Sequence, residues 1–182
     1  MESVNILLGR FQPFTEGHFH MIESAYKINN LPTVILIIDN QKFDDKHPFK
    51  NETIESLIKS YQSIYIKDIL FVKNADIGIF GKLLHEHNYE PYFWICGSDR
   101  FKVYDLMCNK YKEQFNLPNI QALEIHRTET DISATKVRQS LIDNNYKDFC
   151  KNMSNIVNLD NWYTILQKEI YQLSNENNKK RV

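Results

Sequence analysis

The feature that most constrains the fold of this 182-residue chain is an alternation of short apolar runs with amphipathic segments. Segments rich in apolar residues, typical of buried strands, lie at residues 4–8, 33–38, 69–72, 92–96 and 120–125. Between them apolar side chains recur at helical spacing, as at Ile54, Leu57, Ile58 and Tyr61. Strands that alternate with helices pair in parallel, because each crossover helix returns the chain to the same end of the sheet. The pattern predicts an α/β fold, with a parallel sheet covered by helices on both faces.

Length and composition predict one globular domain. A hydrophobic content of 42%, with 13% aromatic residues, is enough to build a sizeable core. No repeat or linker interrupts the alternating pattern. We therefore predict a single domain over residues 1–174, followed by a polar tail, residues 175–182, that frays.

Charge, apolar runs and cysteine spacing argue against several classes of partner. The net charge is −1 and no window resembles a basic arm, so we expect no nucleic-acid partner. The chain begins with a strand and its longest apolar run, residues 34–38, is far too short to cross a bilayer, so no export or membrane anchoring is expected. Cys96, Cys108 and Cys150 lack metal-binding spacing. These features predict a cytoplasmic protein with reduced thiols and no metal site built from its own side chains.

Residues 7–20, LLGRFQPFTEGHFH, carry the strongest local signal for a ligand. They join the first strand to the first helix through a loop rich in glycine and proline. Gly9 allows a sharp turn and a close approach of the backbone to a ligand. Gly17 leaves free N–H groups near the N-terminus of the next helix, where an anion binds well. The segment predicts an anion-binding loop.

Within this loop GRFQPF is followed by Thr15, Glu16, Gly17 and His18, which read as (H/T)-x-G-H. The combination resembles the signature of the nucleotidyltransferase superfamily, which has a Rossmann-like fold. That superfamily includes the adenylyltransferases of NMN and of phosphopantetheine and the cytidylyltransferases. The GRFQPF form is most similar to NMN adenylyltransferases of archaeal and phage type. Thr15 stands where those enzymes have a first histidine, and threonine occurs there in phosphopantetheine adenylyltransferases.

The resemblance assigns roles to this loop. His18 would contact the triphosphate of the nucleotide and stabilise charge during transfer, with Thr15 beside it. The residues expected to bind the nucleotide here are Gly9, Arg10, Phe11 and Gly17.

A second block, Gly97-Ser98-Asp99-Arg100, follows the fourth predicted strand. A glycine at a strand end admits a nucleoside close to the backbone, and a carboxylate can accept both ribose hydroxyls. The block resembles the G-x-D that holds the adenosine ribose in the superfamily, so Gly97, Asp99 and Arg100 are predicted to bind the nucleotide. The alternative is an ordinary strand-to-helix turn in which Asp99 is only an N-cap.

A third block, ISATKVR at residues 132–138, follows the fifth predicted strand. Ser133 is placed to cap a helix whose first N–H groups face any phosphate docked there. Arg138 lies three residues after Thr135, on the same side of the helix. The block resembles the ISxTxxR motif that holds the β and γ phosphates, which adds Ile132 and Lys136 to the predicted nucleotide-binding residues. The alternative is a capped helix with exposed Lys136 and Arg138.

A weaker signal lies in the polar segment 41–51, expected to be a mobile loop with solvated lysines. Its end, Pro48-Phe49 followed by Glu52, resembles the NPF-x-x-x-ER stretch of archaeal NMN adenylyltransferases. Thr53 stands where the arginine is expected. Asn51 is predicted to cap a helix that runs to about residue 62.

The resemblance implies an enzyme that transfers AMP from ATP to NMN, giving NAD and pyrophosphate. His18, Thr15 and Arg138 would stabilise the leaving pyrophosphate, Mg²⁺ would accompany ATP, and a homo-oligomer is possible. Two alternatives stay open. The acceptor could be phosphopantetheine, nicotinate mononucleotide, FMN or glycerol phosphate. A non-catalytic nucleotide sensor would retain Gly97 and Asp99 but have no need of His18.

Overall fold

The chain is described from a computed structural model, which covers residues 1–39, 41–126 and 133–179, without the side chains of 176–179. It forms two compact units. The sheet unit comprises Met1–Gly9, Phe19–Asp39 and Ser63–Asp131, and the helical unit comprises Arg10–His18, Asn40–Gln62 and Ile132–Val182. The single domain over residues 1–174 stays a prediction.

The sheet unit contains a five-stranded sheet in which every pairing is parallel. Its strands are β1 (Glu2–Gly9), β2 (Thr33–Ile38), β3 (Ile66–Val72), β4 (Tyr89–Cys96) and β5 (Gln121–Glu124). The spatial order is β3-β2-β1-β4-β5. The predicted parallel sheet is confirmed, and β2 has the predicted bounds.

The helices are α1 (Glu16–Asn29), α2 (Asn51–Lys59), α3 (Ile77–Glu86), α4 (Ser98–Tyr111), α5 (Ala134–Ile142), α6 (Tyr146–Asn152) and α7 (Leu159–Lys179). They follow the strands in the alternation that the sequence predicts. Helix α7 continues through residues 175–179 of the predicted tail. None of the described helices is long and apolar enough to cross a membrane.

Both faces of the sheet are buried. Ile6 and Leu36 are fully buried in one apolar core, and Ile35 and Ile37, whose side chains alternate with Leu36 along β2, are fully buried as well. A strand with apolar residues at successive positions is typical of a parallel sheet covered on both sides. Phe80 and Trp94 belong to this core, with ring centroids 4.8 Å apart.

The register of β1 against β4 brings two predicted nucleotide-binding glycines to one edge of the sheet. Leu7 pairs with Ile95, so Gly9 and Gly97, each two residues further on, lie at the carboxyl ends of neighbouring strands. Ligands of open α/β sheets bind at this edge. Gly9 does not adopt the positive φ that a sharp glycine turn would need; the left-handed residue of the following loop is Phe11, with φ 49°.

In the helical unit the apolar face of α2 is buried as predicted, with Ile54, Leu57 and Ile58 fully inaccessible. The predicted cap of this helix is wrong. Asn51 is its first helical residue and Lys50 is the N-cap, without a capping side chain of its own. The Glu169 carboxylate, from α7, instead accepts hydrogen bonds from the Lys50 N–H at 3.1 Å and the Thr53 hydroxyl at 2.5 Å.

Candidate active site

His18 lies near the start of α1, and its imidazole is held by the loop Arg10–His18. The Thr15 backbone N–H donates a hydrogen bond to Nδ1 of His18 at 3.0 Å, and the Thr15 hydroxyl oxygen is also 3.0 Å from Nδ1. A backbone N–H can only donate, so Nδ1 accepts and the neutral ring carries its proton on Nε2. The loop therefore holds His18 as a donor through Nε2.

Two aromatic rings fix the plane of this imidazole. The ring centroids of Phe11 and Phe14 lie 5.2 and 5.3 Å from that of His18. Both phenylalanines are buried, and the left-handed backbone of Phe11 is rare for a bulky residue. Backbone conformations of this kind concentrate at functional sites. The loop thus restricts rotation of the half-buried His18 ring.

The position of Thr15 differs from that expected for a residue in direct contact with a ligand. Its side chain is fully buried and its hydroxyl faces His18. In this position Thr15 acts on the orientation of the imidazole. The structure thus places Thr15 as a residue that supports His18.

Helix α5 presents the third motif, and the predicted cap is confirmed. Ser133 is the N-cap, and its hydroxyl accepts a hydrogen bond from the Lys136 N–H at 3.2 Å. Thr135 and Lys136 are exposed at the first turn. A helix N-terminus of this kind carries a partial positive charge that favours an anion. Ile132 lies outside the described residues.

Arg138 is anchored to the same loop as His18. One guanidinium nitrogen, Nη1, donates to the Gln12 backbone carbonyl at 2.5 Å, and Nη2 donates to the Thr135 hydroxyl at 3.2 Å. Burial lowers the pKa of Arg138, and the nearby carboxylate of Asp44 opposes that shift. Arginine stays protonated despite such shifts. The helical unit therefore holds a half-buried cation on the loop that orients His18.

Residues 41–50 add a chain of polar contacts that ends at Arg10. Asp44 Oδ1 accepts from the backbone N–H groups of Lys46 and His47, at 2.9 and 2.8 Å, and lies 3.0 Å from His47 Nδ1. Although desolvation raises the pKa of Asp44, these contacts outweigh it, and the pKa lies below its ordinary value. The His47 Nε2 lies 3.4 Å from an Arg10 nitrogen. Since arginine only donates, Nε2 accepts and Nδ1–H donates to Asp44.

The second motif lies in the sheet unit, after β4. Gly97 is the N-cap of α4, and its neighbours Ser98 and Asp99 are the first two helical residues. Because the N-cap is Gly97, the alternative in which Asp99 is only an N-cap is wrong. Its side chain is 70% exposed and lies 3.7 Å from that of Arg100, which is 67% exposed. Asp99 is thus an accessible carboxylate that follows β4, at the edge where open α/β sheets bind their ligands.

The structure groups the predicted residues by unit. Those brought together by the helical unit are Arg10, Phe11, Thr15, Gly17, His18, Ser133, Thr135, Lys136 and Arg138, and those in the sheet unit are Gly9, Gly97, Asp99 and Arg100. Among the described residues, no three His, Cys, Asp or Glu side chains are grouped to hold a metal.

Sequence reasoning missed four residues that organise the helical unit: Gln12, Asp44, His47 and Glu169. Gln12 lies inside the GRFQPF block, so the motif included this residue but did not indicate its hydrogen-bond partners. His47 directly precedes the Pro48-Phe49 pair, and no spacing rule connects it with Arg10. Glu169 lies 116 residues from Thr53. Contacts at such distances along the chain leave no local pattern.

The arrangement in the helical unit suits charge stabilisation more than covalent catalysis. An imidazole N–H donor, a guanidinium and a helix N-terminus all favour negative charge. Such fixed donors stabilise oxygens that gain charge in a transition state without reorganising during the reaction. This is the chemistry that phosphoryl and nucleotidyl transfer require.

Comparison with known proteins agrees with this chemistry. The model of the cytidylyltransferase-like family matches residues 6–140. A comparison with curated protein sequences finds no significant match.

Among solved structures, a bifunctional NMN adenylyltransferase/ADP ribose pyrophosphatase from Francisella tularensis is similar over 98% of this chain and 54% of its own, with 20% identity and a TM-score of 0.61. The nicotinic acid mononucleotide adenylyltransferase of Plasmodium falciparum, complexed with NaAD, is similar over 94% and 96%, with 16% identity and a TM-score of 0.58. Thermotoga maritima TmcAL bound with alpha-thio ATP is similar over 94% and 56%, with 13% identity and a TM-score of 0.58.

The chain spans about half the length of the Francisella and Thermotoga proteins. At these identities the structural similarity establishes the fold. The family model covers most of the chain, including all three motifs. The chain therefore belongs to the cytidylyltransferase-like family.

Proposed function

We propose that the protein transfers the AMP part of ATP to NMN, giving NAD and pyrophosphate. The observation that carries the proposal is the loop Arg10–His18, where GRFQPF leads into a His18 held by the Thr15 N–H at 3.0 Å. Solved adenylyltransferases of NMN and of nicotinic acid mononucleotide share the fold, which supports this acceptor class.

In the proposed reaction an oxygen of the 5′-phosphate of NMN attacks the α-phosphorus of ATP. The bond from that phosphorus to the bridging oxygen of the β-phosphate breaks, and pyrophosphate leaves with the electron pair. The acceptor phosphate is already an anionic nucleophile at neutral pH, so no covalent intermediate on the enzyme is needed. Catalysis then depends on positioning and on stabilisation of the leaving group.

Each residue has a defined part in this proposal. His18 donates its Nε2 proton in a hydrogen bond to a phosphate oxygen as negative charge moves toward pyrophosphate. Arg138 and the N–H groups at the start of α5 bind the β and γ phosphates, and Thr15 fixes the imidazole. Asp99 accepts hydrogen bonds from the ribose hydroxyls of ATP.

Mg²⁺ enters this proposal together with ATP. It would neutralise part of the triphosphate charge and would be bound mainly by phosphate oxygens and water, which is the usual manner of Mg²⁺ in nucleotide enzymes.

The proposal is tested by measuring pyrophosphate release from ATP and Mg²⁺ with each of several acceptors. NMN should be converted to NAD, and nicotinate mononucleotide should react less well because we assign no cation among the described residues to its extra carboxylate. Phosphopantetheine should give no product, because GRFQPF differs from the loop of its transferases. ATP without an acceptor is the control for hydrolysis. Adenylylation of phosphopantetheine, with no product from NMN, would show that Thr15 was the better guide to the acceptor.

A further inference from the structure

The side chain of Gln12 makes a pair of hydrogen bonds, and the proposed reaction has so far given this residue no role. Its side chain is 5% exposed. Its Nε2 donates to the Phe49 carbonyl at 3.1 Å, and the Phe49 N–H donates to its Oε1 at 2.9 Å. The amide thus matches both backbone groups of Phe49 in the way that a neighbouring strand would. Phe49 is fully buried, so water does not replace these contacts.

The backbone of the same residue holds the predicted phosphate cation. The Gln12 carbonyl accepts from Arg138 Nη1, and Thr135 accepts from Nη2, so two oxygens set the plane of the guanidinium. Any displacement of the Gln12 backbone would therefore move Arg138. The side chain that prevents this displacement is anchored on Phe49, 37 residues further along the chain.

We propose that Gln12 is a positioning residue for nucleotidyl transfer, which locks the loop Arg10–His18 onto residues 48–50 and thereby orients Arg138. The inference rests on the proposed function of Arg138 at the leaving pyrophosphate. Glutamine suits this role because its amide offers a donor and an acceptor in one plane at neutral pH. Glutamate lacks the donor when ionised, and methionine lacks both groups.

The first test compares two variants of nearly the same length and volume. Gln12→Met removes both hydrogen bonds and should lower kcat by about tenfold or more, because a misplaced catalytic group is costly, with little change in the KM of the acceptor. Gln12→Glu keeps only the acceptor at neutral pH. Its kcat relative to wild type should rise as the pH is lowered from 8 to 5, because a protonated carboxyl can again donate to the Phe49 carbonyl. Gln139→Met, an exposed glutamine on α5, is the matched control and should retain wild-type kcat.

The second test asks whether Gln12 acts through Arg138. A double-mutant cycle combines Gln12→Met with Arg138→Ala. If Gln12 orients Arg138, Gln12→Met should have almost no further effect on kcat once Arg138 is absent. The inference would be overturned if the kcat of the double variant fell by the product of the two single-variant decreases. Wild-type kcat in a folded Gln12→Met variant would also overturn it. If Gln12→Met does not fold, a flat pH profile of relative kcat for Gln12→Glu would overturn it.

Failure of the proposed function would look different. If wild type releases no pyrophosphate with any acceptor, the transfer reaction is refuted. The same cycle is then measured on the Kd of ATP by calorimetry. Equal weakening of ATP binding by Gln12→Met with and without Arg138 would also refute the positioning role.

Discussion

The sharpest prediction concerns His18, whose two ring nitrogens can be separated by substitution. In His18→Asn the side-chain oxygen can take the place of Nδ1 and accept the Thr15 N–H, but no atom reaches the position of Nε2. In His18→Gln the longer amide can place an N–H close to that position. His18→Asn therefore removes only the N–H donor, and His18→Gln restores part of it.

The expected magnitude follows from the role of Nε2 as a single fixed donor. A donor of this kind contributes about 3 to 4 kcal/mol to the transition state, and about 1.4 kcal/mol corresponds to a tenfold change in rate. His18→Asn should thus lower kcat by about 10² to 10³, with little change in the Kd of ATP. His18→Gln should recover part of this loss.

Steady-state pyrophosphate release gives kcat, calorimetry gives the Kd of ATP, and thermal unfolding checks that each variant folds. His20→Asn is the matched control, because His20 is exposed two residues further along the same helix. It should behave as wild type. Near-wild-type kcat in a folded His18→Asn variant would remove His18 from the mechanism. A loss confined to ATP affinity would make it a binding residue instead.

Two further predictions concern the sheet unit. Asp99→Ala should weaken ATP binding by more than it slows the transfer step. Asp105 is an exposed carboxylate on the same helix, so Asp105→Ala is the control and should leave the Kd of ATP unchanged. An unaltered Kd of ATP in Asp99→Ala would exclude Asp99 from the ribose site. Burial raises the pKa of Cys96 from 9.0 to about 11 and that of Cys108 from 9.0 to about 12. The stability gained from the neutral buried thiols is present below pH 9 and is lost as the pH rises through these values. The Tm should therefore fall above pH 9, and it should fall less steeply in Cys108→Ala. An equal slope of Tm against pH in the variant and in wild type would contradict this account.

Much of the fold follows from local patterns in the sequence. The strand at residues 33–38 has the bounds that its β-branched, largely apolar run predicts, because a parallel strand covered on both faces needs apolar side chains at nearly every position. Ser133 caps α5 as predicted, because capping involves residues only three positions apart. The superfamily that the (H/T)-x-G-H block and the ISxTxxR motif led us to expect is confirmed by the family model over residues 6–140.

Helical spacing alone did not determine which side chains are buried. Val103 and Leu106 have the spacing of an apolar helix face, and α4 forms there, yet they are 51% and 66% exposed. Spacing determines which residues share a face of a helix. Which face is covered depends on the elements packed against it.

The details of the candidate site were decided by tertiary structure. Local rules favoured Asn51 as the cap of α2, but Glu169, 119 residues from Lys50, takes the hydrogen bonds at that helix end. The pairing of Gln12 with Phe49 spans 37 residues, and the contact between Arg138 and the Gln12 carbonyl spans 126. Sequence patterns report the interactions of neighbours along the chain, whereas a buried polar group takes whichever partner folding brings within hydrogen-bonding distance. The motifs therefore predict the residues of the chemistry, and the fold determines which residues hold them in place.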